Sequence, residues 1–220
     1  MLSFSDQSYQ QTKRIKQGKA KMNPDFRPLA QWIDRKYSVK TINIIHDTVN
    51  DGEIPRLQIC FEFEWEEIKF LNGNKSMKIR EQQAIAQEFA RMADEARLPY
   101  RTKNIWVIYG AFEPIAKAEA VSKIPQEKIK QLQEELNDQN LWLIMATPLG
   151  VKPGFFLFTD EQVKAYTDGE VINSWTDLFY ALLKQYDEFG YINRRDFSIY
   201  LDSKENFDTN YQSNWYYYFK

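Results

Sequence analysis

Apolar positions begin to recur only after Pro24. Residues 1–22 are polar, rich in Gln, Ser and Lys, and carry no hydrophobic period, so they read as a mobile tail. From Pro24 onward Pro28, Leu29, Trp32, Ile33 and Tyr37 fall at helical spacing. Two alternating segments, 39–49 and 55–65, then flank Asp51-Gly52, a dipeptide suited to a type I′ hairpin turn. With Asp51 and Gly52 as the loop, Ile42 faces Phe61, Ile44 faces Ile59 and His46 faces Leu57. The other face pairs Thr41 with Glu62, Asn43 with Cys60, Ile45 with Gln58 and Asp47 with Arg56. One face is apolar, and the other is polar enough to meet water or a ligand.

Residues 76–97 read as a helix with Ile85, Phe89, Met92 and Ala96 on one stripe and Pro99 beyond its end. A strand over 103–112 leaves neither face polar, which fits a central position in the sheet, covered on both sides. A helix follows Pro125, and apolar strands over 141–147 and 154–158 are joined by a Pro/Gly loop. Thr159 with Gln162 and Ser174 with Asp177 have capping-box spacing. The second box opens a helix whose Trp175, Leu178, Phe179, Leu182, Leu183, Tyr186 and Phe189 form an apolar stripe, stopped by Gly190. Segments 197–201 and 215–219 close the chain as two strands, with Trp215, Tyr217 and Phe219 directed to the core and Tyr216 and Tyr218 outward.

This order predicts an α+β fold: a mixed, largely antiparallel sheet of about six or seven strands covered by helices. Residues 23–220 are expected to form a single compact α+β domain. The element order of 23–112 recurs in 113–220, so one composite sheet or two similar helix-hairpin-helix-strand halves both fit.

Composition narrows the function. The 220 residues hold 6 Trp, 13 Tyr and 15 Phe against one His, one Cys and eight Gly, a balance that favours contact surfaces over catalysis. A net charge of −2 argues against whole-surface attraction to nucleic acid. The run Lys13, Arg14, Lys16, Lys19 and Lys21 is either a solvated leader or a phosphate-binding arm, and nucleic-acid contact is expected only there. One cysteine forms no internal disulfide, and the first thirty residues lack a signal-peptide run. A cytoplasmic protein with no membrane partner is expected.

Candidate chemistry is sparse. His46 points to the apolar face and Asp47 to the other, so the pair is not a dyad. Cys60 neighbours Glu62, which raises rather than lowers a thiol pKa. No phosphate-binding glycine loop, Cys-pair zinc pattern or calcium loop occurs, and no metal or cofactor is expected. The segment Glu67-Ile68-Lys69, preceded by Asp51 near a hairpin, resembles the acidic and Glu-x-Lys pattern of restriction-endonuclease-like nucleases. That resemblance implies a metal-dependent hydrolase with Asp51 and Glu67 as metal ligands and Lys69 helping to activate water.

The leading expectation is a non-enzymatic module that binds another protein through an acidic, aromatic-rich surface, immunity- or inhibitor-like in character. Its candidate contact residues are Tyr216, Tyr218, Tyr211, Tyr200, Glu62 and Glu64.

Overall fold

The computed structural model describes residues 4–147, 152–167 and 169–220; most of the Pro/Gly loop expected after the fourth strand lies outside them. The protein is an α+β structure whose chain divides into two compact units, Met1–Ile115 and Ala116–Lys220. The expected single sheet is two three-stranded mixed sheets, one in each unit. The reason is visible in the cores: each sheet gathers its own apolar cluster, and the two clusters share no residue.

The first unit runs α1 (Gln7–Lys16), α2 (Arg27–Tyr37), β1 (Thr41–Val49), β2 (Ile54–Phe61), α3 (Glu64–Ile68), α4 (Ile79–Glu95) and β3 (Trp106–Ala111). Helix α5 (Phe112–Ser122) contains the division. Strands β1 and β2 pair antiparallel and β3 lies parallel to β2, which puts β3 at an edge of the sheet rather than at its expected central place. The front of this sheet, with Ile44, Leu57, Ile59 and Val107, is buried against Leu29 and Ile33 of α2 and Ile85 and Phe89 of α4.

The hairpin register follows the alternation from Asn43 opposite Cys60 to Asp47 opposite Arg56. Asp51 and Gly52 take φ of 51° and 91°, the left-handed pair that a type I′ turn needs. Arg101 donates to the carbonyls of Gly52 at 2.6 Å and Glu53 at 2.8 Å, tying the turn down. The expected Thr41–Glu62 and Ile42–Phe61 pairs do not form. The register shifts between Thr41 and Asn43, Phe61 faces Thr41, and Glu62 leaves the ladder.

The mobile tail is also corrected. Residues 7–16 form α1, which buries Tyr9, Thr12 and Lys13. Tyr9 stacks on Phe112 with centroids 5.1 Å apart. Only one apolar anchor faces the sheet, so the sequence shows no hydrophobic period although a helical face is buried.

The second unit continues with α6 (Gln126–Leu136), β4 (Leu141–Met145), β5 (Gly154–Leu157), α7 (Asp160–Thr167), α8 (Glu170–Lys184), β6 (Tyr200–Ser203), α9 (Lys204–Tyr211) and α10 (Trp215–Tyr218). Strands β4 and β5 are antiparallel and β6 is parallel to β5, in the order β4-β5-β6. Phe155 and Leu157 face Trp175, Phe179 and Leu183 of α8 and Ile129 and Leu132 of α6. Thr159 caps α7 as its spacing predicts, with Gln162 N–H 3.2 Å from its Oγ1. Ser174 does not open α8; it lies inside the helix, which starts at Glu170 and ends at Lys184, well short of the expected stop at Gly190, so Tyr186 and Phe189 fall outside it.

Strand order and pairing sense are the same in both sheets, and so are the details where the strands end. The second hairpin has its register shift between Leu141 and Leu143, again opposite the last residue of the middle strand. Glu62 N–H donates to Lys40 O at 3.2 Å, and Phe158 N–H donates to Asn140 O at 3.1 Å. Glu113 N–H donates to Glu62 O at 3.0 Å, and Glu205 N–H donates to Phe158 O at 3.1 Å. The carboxylates of these two glutamates then accept from the first N–H of the facing helix: Glu64 N–H to Glu113 at 3.4 Å, Asp160 N–H to Glu205 at 3.0 Å. Such donors have no partner within their own helix, and an acid there also suits the helix dipole. Among the described residues no helix is long and apolar enough to cross a membrane.

Candidate functional site

The C-terminal segment is helical where a strand was expected. Ser203 opens α9 by accepting from Asn206 N–H at 2.8 Å, and Asn214 opens α10 by accepting from Tyr216 N–H at 2.9 Å. Between them Gln212 and Ser213 sit at φ 55°, reversing the chain. The helical period changes which aromatics point inward. Trp215 and Tyr218 face the unit, and Tyr216, Tyr217 and Phe219 are 68%, 49% and 41% exposed. The inward assignment of Tyr217 and Phe219 and the outward one of Tyr218 are therefore reversed.

The anchors are aromatic throughout. Trp215 stacks on Phe207 of α9 at 4.0 Å and on Trp142 of β4 at 6.2 Å, and meets Phe156 of β5 edge-on at 5.2 Å. Tyr218 contacts Phe156 at 5.5 Å and Tyr211 at 4.8 Å, and its hydroxyl donates to Asp202. Burial, reinforced by the Asp202 charge, pushes the Tyr218 hydroxyl above the ordinary tyrosine range. Burial does the same to Tyr200. The Tyr200 ring lies over Gly154, where a Cβ would come within 2.5 Å of its Cζ; a close approach, not a turn, requires that glycine.

Tyr200, Tyr211, Tyr216 and Tyr218 are thus brought together, but with unequal roles: Tyr200 and Tyr218 hold the segment in place, and Tyr216 is open. The acids around them are engaged locally. Asp202 also accepts from Ser203 N–H and Asn206, Asp208 pairs with Lys204, and Glu205 holds the start of α7.

Glu62 and Glu64 are elsewhere, at the carboxyl end of β2. Glu62 is not on a solvated sheet face. It is 5% exposed and paired with Lys16 of α1 at 2.5 Å and with Lys40. Two ammonium groups offset what would be a costly buried charge. Lys16, part of the basic run that reads as either a solvated leader or a phosphate-binding arm, is engaged by this pair. Glu64 is exposed at the start of α3. Glu66, buried beside it, accepts from Lys40 N–H at 2.6 Å and Phe63 N–H at 2.8 Å.

The nuclease-like triplet is not assembled. Asp51 sits in the hairpin turn, and β2 alone carries the chain about 23 Å from that end to α3. Glu67 is half-buried, and burial, then the neighbouring Glu64 charge, raises its pKa. Lys69 donates to the carbonyls of Tyr37 at 3.2 Å and Ser38 at 2.7 Å, closing the end of α2, and lies over the Trp65 ring. Among the described residues no three His, Cys, Asp or Glu side chains converge as a metal site.

The remaining candidates are structural. His46 Nε2 is 3.0 Å from Arg101 O, and the ring packs against Tyr100 and Phe89. Asp47 binds Arg56 through both oxygens and Gln58 at 2.7 Å, on the opposite side of the strand. Cys60 retains some surface, but its thiol is closed in beneath α1 and burial pushes it up to about 12. That is a poor nucleophile at neutral pH. Comparison of the chain with protein-family models, with curated proteins and with solved structures gives no match in any of the three.

Proposed function

We propose that the protein is a non-enzymatic, cytoplasmic protein-binding module, immunity- or inhibitor-like in character, whose contact surface is the outer side of α10. One observation carries the reading: Trp215 and Tyr218 fix the segment to its unit, leaving Tyr216, Tyr217 and Phe219 outward. Rigidly held tyrosines supply large contact area at low entropic cost, the property that enriches them at binding hot spots. The surface is aromatic with little free acid, since Asp202, Glu205 and Asp208 are occupied by their neighbours. Repeated strand-end hydrogen bonds in the two units further support reading them as two copies of one helix-hairpin-helix-strand module.

The test uses a double variant, Tyr216→Ala with Tyr217→Ala, which leaves both anchors intact. A stoichiometric partner isolated from native lysate is expected to co-elute with the parent chain and to lose at least 100-fold in affinity for the double variant, typical of two hot-spot residues. Unchanged affinity would remove α10 from the interface. Metal-dependent cleavage of nucleic acid by the purified chain, abolished in Glu67→Ala, would overturn the non-enzymatic reading altogether.

A further inference from the structure

We propose that the rear face of the first sheet is a docking face for a basic amphipathic helix of a partner protein, and that α1 is its replaceable resident. This surface belongs to the first unit and α10 to the second, and the two proposals are tested independently.

The face is shaped for a helix. Tyr9, Thr12, Lys13 and Lys16 lie at positions i, i+3, i+4 and i+7, which is one side of α1. Toward the ends of that side Tyr9 stacks on Phe112 and Lys16 pairs with Glu62, and Lys13 is buried in the same face. Between them Asn43 Nδ2 donates to Thr12 Oγ1 at 3.1 Å.

The resident fits incompletely. Under Ser8 and Thr12 is a cavity of about 20 Å³ walled by Ile45, Ile108, Ile115 and Gly110. Its walls are mostly apolar, with Gln58 and Cys60 also lining it, and its roof includes two hydroxyl residues beside Tyr9, one of which turns its hydroxyl back to Ser8 O at 2.8 Å. A space of this size fits roughly one water, and apolar walls give that water few partners. A helix with an aliphatic residue in place of Ser8 would fill it.

The charge of the face selects the occupant. Buried Glu62 lies at the end where Glu64, Glu67 and Glu113 also gather, so a helix presenting Lys or Arg in its last turn is favoured over an acidic one. Residues 17–20 close the end of α1, with Gly18 at φ 72°, and 21–23 join it to the rest of the unit.

The test uses the full chain and a fluorescent peptide of residues 5–17 carrying Ser8→Val. The peptide is expected to bind saturably, and at least ten-fold more tightly to a Lys16→Ala chain, whose own helix has lost one anchor. Cys60, closed in beneath α1, should react faster with a thiol reagent in Lys16→Ala and be protected again by the peptide. Absence of peptide binding to both chains, or equal binding of a scrambled peptide of the same composition, would overturn the proposal. Concentration-dependent dimerisation of Lys16→Ala that the peptide does not reverse would assign the face to a second copy of this chain and overturn the partner assignment. If Lys16→Ala fails to fold, Ser8→Val within the chain decides: peptide affinity and Cys60 reactivity must both fall, and an unchanged value of either refutes the idea.

Discussion

The two units present the same three-stranded sheet, but they close its rear face with opposite chemistry. In the first, α1 arrives from the N-terminal side and sets the Tyr9 ring on Phe112, the Thr12 hydroxyl on Asn43 and the Lys16 ammonium on Glu62, over a small unfilled space. In the second, α9 and α10 arrive from the C-terminal side and cover Trp142 and Phe156 with Phe207, Trp215 and Tyr218. Shape alone therefore does not dictate the cover. Aromatic pairs add about 0.5–1.5 kcal/mol each beyond their buried area, whereas an ion pair must first offset the desolvation of both charges.

Trp215→Ala breaks the comparison most sharply. Removing the ring that bridges α9, β4 and β5 is expected to cost about 3 kcal/mol, read as a fall in urea midpoint with the denaturant slope unchanged. A loss under 1 kcal/mol would mean that α10 is only resting on the unit. A paired substitution sharpens the comparison at equivalent positions. Glu66 and Gln162 each close the start of the helix after the middle strand, but Glu66 is buried and Gln162 is not. Glu66→Ala is expected to cost about 2 kcal/mol by stranding two part-buried N–H groups at a buried carboxylate's position, and Gln162→Ala about 1 kcal/mol. Equal losses measured by the same unfolding experiment would contradict the burial difference.

The smallest effect is a pH slope. Unfolded tyrosines release their proton near pH 10, while Tyr218 and Tyr200 in the folded unit hold theirs to higher pH. Stability is therefore complete below about pH 10 and falls as pH rises beyond it. Tyr218→Phe should flatten that alkaline decline; a slope identical to the parent's would show that Tyr218 titrates normally.

Local signals in the sequence carried the first hairpin well. Asp51-Gly52 specified the turn, and alternation specified the register up to Asn43. The failure began at the bulge, because nothing local distinguishes a continuing ladder from one that releases Glu62 into α3. Thr159 and Gln162 were readable as a cap because both partners are within one turn. Glu113 and Glu205 were not, since their acceptor and donor contacts are made far along the chain. The terminal run was ambiguous in principle: five consecutive aromatics satisfy a period of two and a period of 3.6 equally. Asn214 just ahead of it was the available clue, an N-cap residue that would have changed the face assigned to Tyr217 and Tyr218. Four of the six candidate contact residues share the second unit, and Glu62 and Glu64 belong to the first.

The matching register shifts in β1 and β4 also bear on how the chain avoids its own kind. Both strands lie at sheet edges, where a straight row of unpaired backbone groups can recruit another molecule and seed aggregation. A bulge at the entry to each bends and twists that row, so a neighbouring chain cannot zip along it from the start. At the first edge Lys40, largely exposed, adds a charge to the same spot. An aromatic-rich chain with exposed tyrosines has particular need of such a safeguard against self-association, and here it is built into the backbone.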